Sequence, residues 1–232
     1  MLKTKKETDK RITLLQLFGI LFVALGHTGD GVPLFSSWFP YSSFHMALFI
    51  FISGYLYKEQ SETQALQFVG RKIKSLVIPL YAWYFVYAIL WKILNYFDLL
   101  RYGASPTINN FLIYPWTYGP RYGITEASWF IATLFLIHII NVPLRKLFGI
   151  GKCKIKEYIY LIVLTIMGIL AVIKAREIGG LPGEMSQLQS MTIKVGFLFP
   201  FYQIGHLMKK EWEKSLDSIP NTVYMATLMG GS

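Results

Sequence analysis

Two histidines stand at places where an imidazole can do chemistry. His27 closes a strongly apolar stretch and His45 opens the next one, with only a short link between them. An imidazole titrates near neutral pH, so a facing pair across a helix hairpin suits general acid/base work. The same placement also suits two interfacial histidines that reach to water. His138 lies within a later apolar stretch and His206 precedes Met208-Lys209-Lys210. His138 can hydrogen-bond a neighbouring helix, and His206 falls at an inner membrane edge. No His-Glu-x-x-His spacing or cysteine cluster is present, so no metal is expected. The sequence also has no Gly-x-Gly-x-x-Gly, P-loop or Gly-x-Ser-x-Gly pattern. Cys153 is the single cysteine, which excludes an intrachain disulfide.

Two further groups invite a binding role. Trp116, Tyr118 and Tyr122 sit together in the longest polar connection. They can stack on sugar rings or form part of an interfacial aromatic belt. Arg71, Lys72 and Lys74 precede the apolar run that starts near Leu76.

The elements that position these groups follow from composition. Hydrophobic residues make up 53% of the 232 residues and charged residues only 16%, against roughly 25% in soluble domains. Mean hydropathy is +0.41. These values exclude a disordered chain, a coiled coil and an ordinary soluble enzyme. A net charge of +10 does not imply nucleic acid here, because the cations lie in short clusters between apolar stretches. No small-residue cleavage site closes the first apolar stretch, so it is expected to remain as a helix.

A bilayer core asks for about 20 apolar residues per helix. On that criterion the sequence predicts an all-α polytopic transmembrane bundle. Six spans are expected, near 12–27, 38–57, 76–97, 129–144, 158–173 and 193–208, with a partial seventh from about residue 223. Placing the N-terminus in the cytoplasm puts seventeen Lys and Arg side chains inside and five outside, with Lys92 in a span. That asymmetry matches the positive-inside rule.

Several segments resemble the membrane-bound acyltransferase-3 family in order along the chain. They are FGILFVALGH ending at His27, FHMALFIFISGY from Phe44 to Tyr55, the basic run Arg71–Pro79, Ser128-Trp129-Phe130, and Gly205 ahead of Lys209-Lys210. The resemblance implies transfer of an acyl group, often acetyl, from acetyl-CoA or another acyl-CoA to a hydroxyl of an envelope saccharide. By motif it makes His27 the catalytic candidate and sets His45, Ser53 and Gly54 in the second-helix motif. Arg71, Lys72 and Lys74 become candidates for the CoA phosphates, which suits cations at an inner membrane edge. The family's cation lower on the first helix falls here at Gln16, which can hydrogen-bond but brings no charge. Gln16 lies eleven positions before His27, back near the same helix face and about 16 Å lower.

The expectation is therefore one acyltransferase-3-like domain over residues 1–232, shorter at its C-terminus than the family's membrane domain. It would sit in the plasma membrane in several passes, in contact with membrane lipids, acyl-CoA and an envelope saccharide, and without nucleic acid. Two other readings stay open. One is an inactive fragment or accessory subunit, and the other a small transporter or flippase for glycans. With no Asp or Glu in the expected spans, proton-coupled transport has little to work with.

Overall fold

The computed structural model describes residues 10–26, 41–99, 107–116, 128–177 and 187–212. Every element among them is helical. In chain order they are α1 (Lys10–Gly26), α2 (Tyr41–Tyr55), α3 (Gln60–Thr63), α4 (Ala65–Lys72), α5 (Ile78–Tyr96), α6 (Ile108–Leu112), α7 (Ser128–Phe148), α8 (Lys154–Glu177) and α9 (Gln187–Leu207). A π turn, Ile73–Val77, joins α4 to α5, and another, Met208–Trp212, follows α9.

Among the described residues, three helices are long and apolar enough to cross a bilayer: Ala65–Tyr96, Trp129–Phe148 and Lys154–Glu177. The apolar stretch of α2, His45–Tyr55, is shorter. The sequence placed the third span's start near Leu76, but its helix begins at Ala65. The apolar run begins only after Lys74, whereas the helix extends back through the basic residues to Ala65 and on through Pro79. Here the wider π turn just ahead of it lets the helix run through. Arg71, Lys72 and Lys74 thus lie on helix rather than in a loop. α7 runs past the expected stop near 144 to Phe148. Gly149 ends it in the left-handed conformation (φ 56°), which glycine adopts without a Cβ penalty. The segment expected to start a seventh span lies outside the described residues.

The chain divides into two compact units, one comprising residues up to Tyr57 and from Phe201 onward, the other Lys58–Pro200. In the first unit α1 packs on α2. Ile12 at the start of α1 is buried with Ile52 and Tyr55 at the end of α2, and Met208, just past α9, packs on the same cluster. The two helix ends and Met208 meet at one place, so α2 and the end of α9 run in the same direction, opposite to α1.

The second unit is built on α7. Its buried face, with Ala132, Ile137, His138, Asn141 and Val142, is covered by the neighbouring helices. Tyr84 and Leu80 of α5 are buried with Ile131 of α7 against them. Most apolar side chains of α5 and α8 are exposed, among them Trp83, Phe85, Ile162 and Ile166. Helices with apolar outer faces are what a lipid environment requires.

Candidate functional site

The second-helix motif sits in the first unit. His45 lies one turn into α2 and is half-buried, as is Ser53 two turns later. Gly54 is buried because it meets another backbone: a Cβ there would collide with the carbonyl of Tyr202. The contact is reciprocal, since a Cβ on Gly205 would collide with the carbonyl of Phe51. Two glycines three residues past their partners' contact points let the helix backbones touch. Close approach of this kind is how membrane helices gain van der Waals packing without a hydrophobic drive.

Below that crossing lies an aromatic group. The Tyr57 ring is 5.9 Å from Tyr202 and 5.5 Å, edge-on, from the buried His206. Lys209 Nζ sits 4.9 Å from the centre of the Tyr55 ring, a cation–π distance. α1 ends at Gly26, so His27 and the link 27–40 lie outside the described residues. Gln16 is exposed on α1.

The three donor-site candidates do not share one environment. Arg71 and Lys74 are exposed, while Lys72 is half-buried. Lys72 Nζ lies 5.4 Å from the Phe68 ring centre, and Phe68 in turn packs edge-on against His138 at 5.7 Å. Phe68 and Lys72 are one turn apart on α4 and therefore share a face. The structure thus separates an outward pair, Arg71 and Lys74, from a lysine engaged in packing.

One charged assembly among the described residues was missed by the sequence reading. Arg145 is fully buried near the end of α7. Its two terminal nitrogens donate to both oxygens of Glu157 at 2.7 and 2.8 Å, and Nε donates to Glu62 at 2.8 Å. A third carboxylate, Glu59, stands 3.7 Å away. The bidentate fork is the strong form of this ion pair. It ties α3 and the residue just before it to the end of α7 and the start of α8. Arg145 read as an ordinary inside cation, and Glu59 and Glu62 as loop residues. One signal was available: Glu157 is the single carboxylate in the basic stretch between Arg145 and Arg176.

Trp116 is committed to the fold. Its indole nitrogen donates to the Tyr81 hydroxyl at 2.7 Å, which itself donates to the Leu112 carbonyl at 2.9 Å. Phe135 packs on its ring at 5.6 Å. Tyr118 and Tyr122 lie outside the described residues. Cys153 is exposed between the helical turn that follows α7 and α8.

The family model described as an acyltransferase domain, of the acyltransferase-3 type, matches residues 9–230. The chain belongs to the acyltransferase-3 family. No curated protein and no solved structure matches it. With family membership and three helices able to cross a bilayer, it is a membrane protein carrying an acyltransferase domain. The glycine crossing gives the family-like segment ending Ser53-Gly54-Tyr55 a physical reason: any side chain at Gly54 would push α2 off Tyr202.

Proposed function

We propose that this chain is an integral membrane O-acyltransferase. It takes an acyl group, acetyl in the simplest case, from acyl-CoA and places it on a hydroxyl of a cell-envelope saccharide. The observation that carries this reading is the acyltransferase-domain match over residues 9–230.

In this reading His27 is the general base on the acceptor hydroxyl, or takes the acyl group and passes it on. A base withdraws the hydroxyl proton as the oxygen attacks the thioester carbonyl, and CoA leaves as the thiol. His45 orients His27 or the acceptor. Support comes from the hairpin: α1 and α2 are antiparallel, so the end of α1, next to His27, and the start of α2, with His45, lie at the same end of the pair. Arg71 and Lys74 are exposed cations suited to the phosphates of CoA, whereas Lys72 is partly occupied with Phe68. Gln16 brings no charge to the position of the family's cation on α1, so the outward pair carries more of that role.

The proposal extends to six membrane passes in the plasma membrane with the N-terminus cytoplasmic. Helix direction supports it. α2 and the end of α9 point the same way, so an odd number of crossings must separate them. The three long apolar helices between them supply that number. The basic ends, Lys10 and Arg11 on α1 and Lys209 and Lys210 after α9, then fall on one side.

The test is direct. The chain reconstituted in vesicles with labelled acetyl-CoA and an envelope polysaccharide should label the saccharide. Absence of label with a verified, correctly inserted protein, across a panel of acyl-CoA donors and saccharides, would refute the activity.

A further inference from the structure

The second unit carries a hollow that the proposed reaction does not use. It measures about 560 Å³ and lies between the end of α7 and one face of α8. Ile159, Val163, Leu164 and Met167 line it along α8, and Leu144 and Phe148 along α7. The one charged lining residue is Lys156, at one end. A smaller apolar hollow of about 270 Å³ shares Leu144, Leu164 and Met167 with it and continues to α9.

Length and charge together say what fits there. From Lys156 to Met167 is eleven helical steps, about 16 Å at 1.5 Å each. Half of a hydrocarbon core of about 30 Å is about 15 Å, the depth of one leaflet. The polar end is cationic. Residues 146–156 hold Lys146, Lys152, Lys154 and Lys156 and no carboxylate. Lys156 Nζ donates to the Phe148 carbonyl at 3.0 Å, which fixes the ammonium at the mouth. Gly149 draws a second lysine to the same spot, since a Cβ there would lie 3.5 Å from Lys152 Cδ and 3.7 Å from Lys156 Nζ. Glu157, the nearest acid in sequence, is turned inward onto Arg145.

We infer that this groove is a binding site for one anionic phospholipid of the inner leaflet. An acyl chain would lie along α8, and the phosphate would sit between Lys152 and Lys156. Basic pockets between membrane helices on the cytoplasmic side recognise anionic headgroups in this way, each lysine near the surface contributing about fivefold in binding. The α8 groove would thus fasten the Arg145 end of the unit to the membrane surface.

The experiment uses the full chain in detergent. Phosphatidylglycerol or phosphatidylcholine with identical acyl chains is added, and bound lipid is counted by native mass spectrometry. The expected result is preferential retention of phosphatidylglycerol. Lys152→Gln with Lys156→Gln, both exposed positions, should reduce that retention about thirtyfold, while Lys174→Gln at the far end of α8 should not. Val163→Trp, which fills the groove, should abolish binding of both lipids in protein of unchanged helicity. Equal retention of the two lipids, or no loss in the double lysine variant, would overturn the site. Displacement of phosphatidylglycerol by a long-chain acyl-CoA, with the same variants losing acyl-CoA, would reassign the groove to the donor and overturn the lipid assignment. Each readout is lipid binding, so it stands or falls apart from acyl transfer.

Discussion

The two units hold themselves together by opposite means. In the first, α2 and the end of α9 meet where side chains are missing, at Gly54 and Gly205, and the contact is backbone on backbone. In the second, the end of α7, the start of α8 and the segment before α4 meet around a fully buried guanidinium with three carboxylates at 2.7–3.7 Å. The glycine crossing is intolerant of added volume and indifferent to charge. The Arg145 clamp is intolerant of an unbalanced charge and more forgiving of shape. The family-like residues His45, Ser53 and Gly54 belong to the first kind of region. Substitutions should therefore fail by different routes in the two units, and that difference can be measured.

The largest effect on stability is expected at the clamp. Arg145→Met leaves Glu157 and Glu62 without their partner and should cost about 3–5 kcal/mol, read as a loss of thermal stability in detergent. Replacing Glu157 by Met in the same chain should restore much of it, because a buried pair can be exchanged for apolar side chains at little net cost. A double variant no better than Arg145→Met would show that the clamp does more than balance charge.

The glycine crossing comes next. Gly205→Val should destabilise by about 1–3 kcal/mol through overpacking. Ser53→Ala, next to the contact but half-buried and outside it, should change stability far less. Equal losses at the two positions would break the contrast between the units.

A smaller effect is expected from the outward cations. Arg71→Gln with Lys74→Gln should weaken acyl-CoA binding roughly three- to tenfold at low salt, and the difference should shrink as salt rises. Lys72→Gln should instead loosen packing on Phe68 and leave donor affinity nearly unchanged. The smallest is Trp116→Phe, which removes the bond to Tyr81 and should cost about 1 kcal/mol.

These cases also mark what was legible in the chain itself. Helices occur at all six stretches marked by their apolar runs, because runs of that length leave few alternatives. Their ends were less legible where the helix outruns its apolar run, as before Leu76, where it continues back through the basic residues to Ala65. The family-like second-helix segment was readable because its residues are contiguous. The clamp was not, because Glu62 and Arg145 are 83 positions apart. A cation at a membrane edge reads as a topology signal until its partner is seen. The same holds for Lys72, whose contact with the Phe68 ring the sequence does not announce.

The central claim is that the first unit carries the chemistry, with His27 as the reacting base, while the Arg145 clamp of the second serves structure. The most direct test measures acyl transfer from labelled acetyl-CoA by His27→Ala protein whose insertion and thermal stability match the parent. The account predicts a rate lower by about 10²–10⁴-fold with stability unchanged. Transfer at the parental rate by that variant would contradict it.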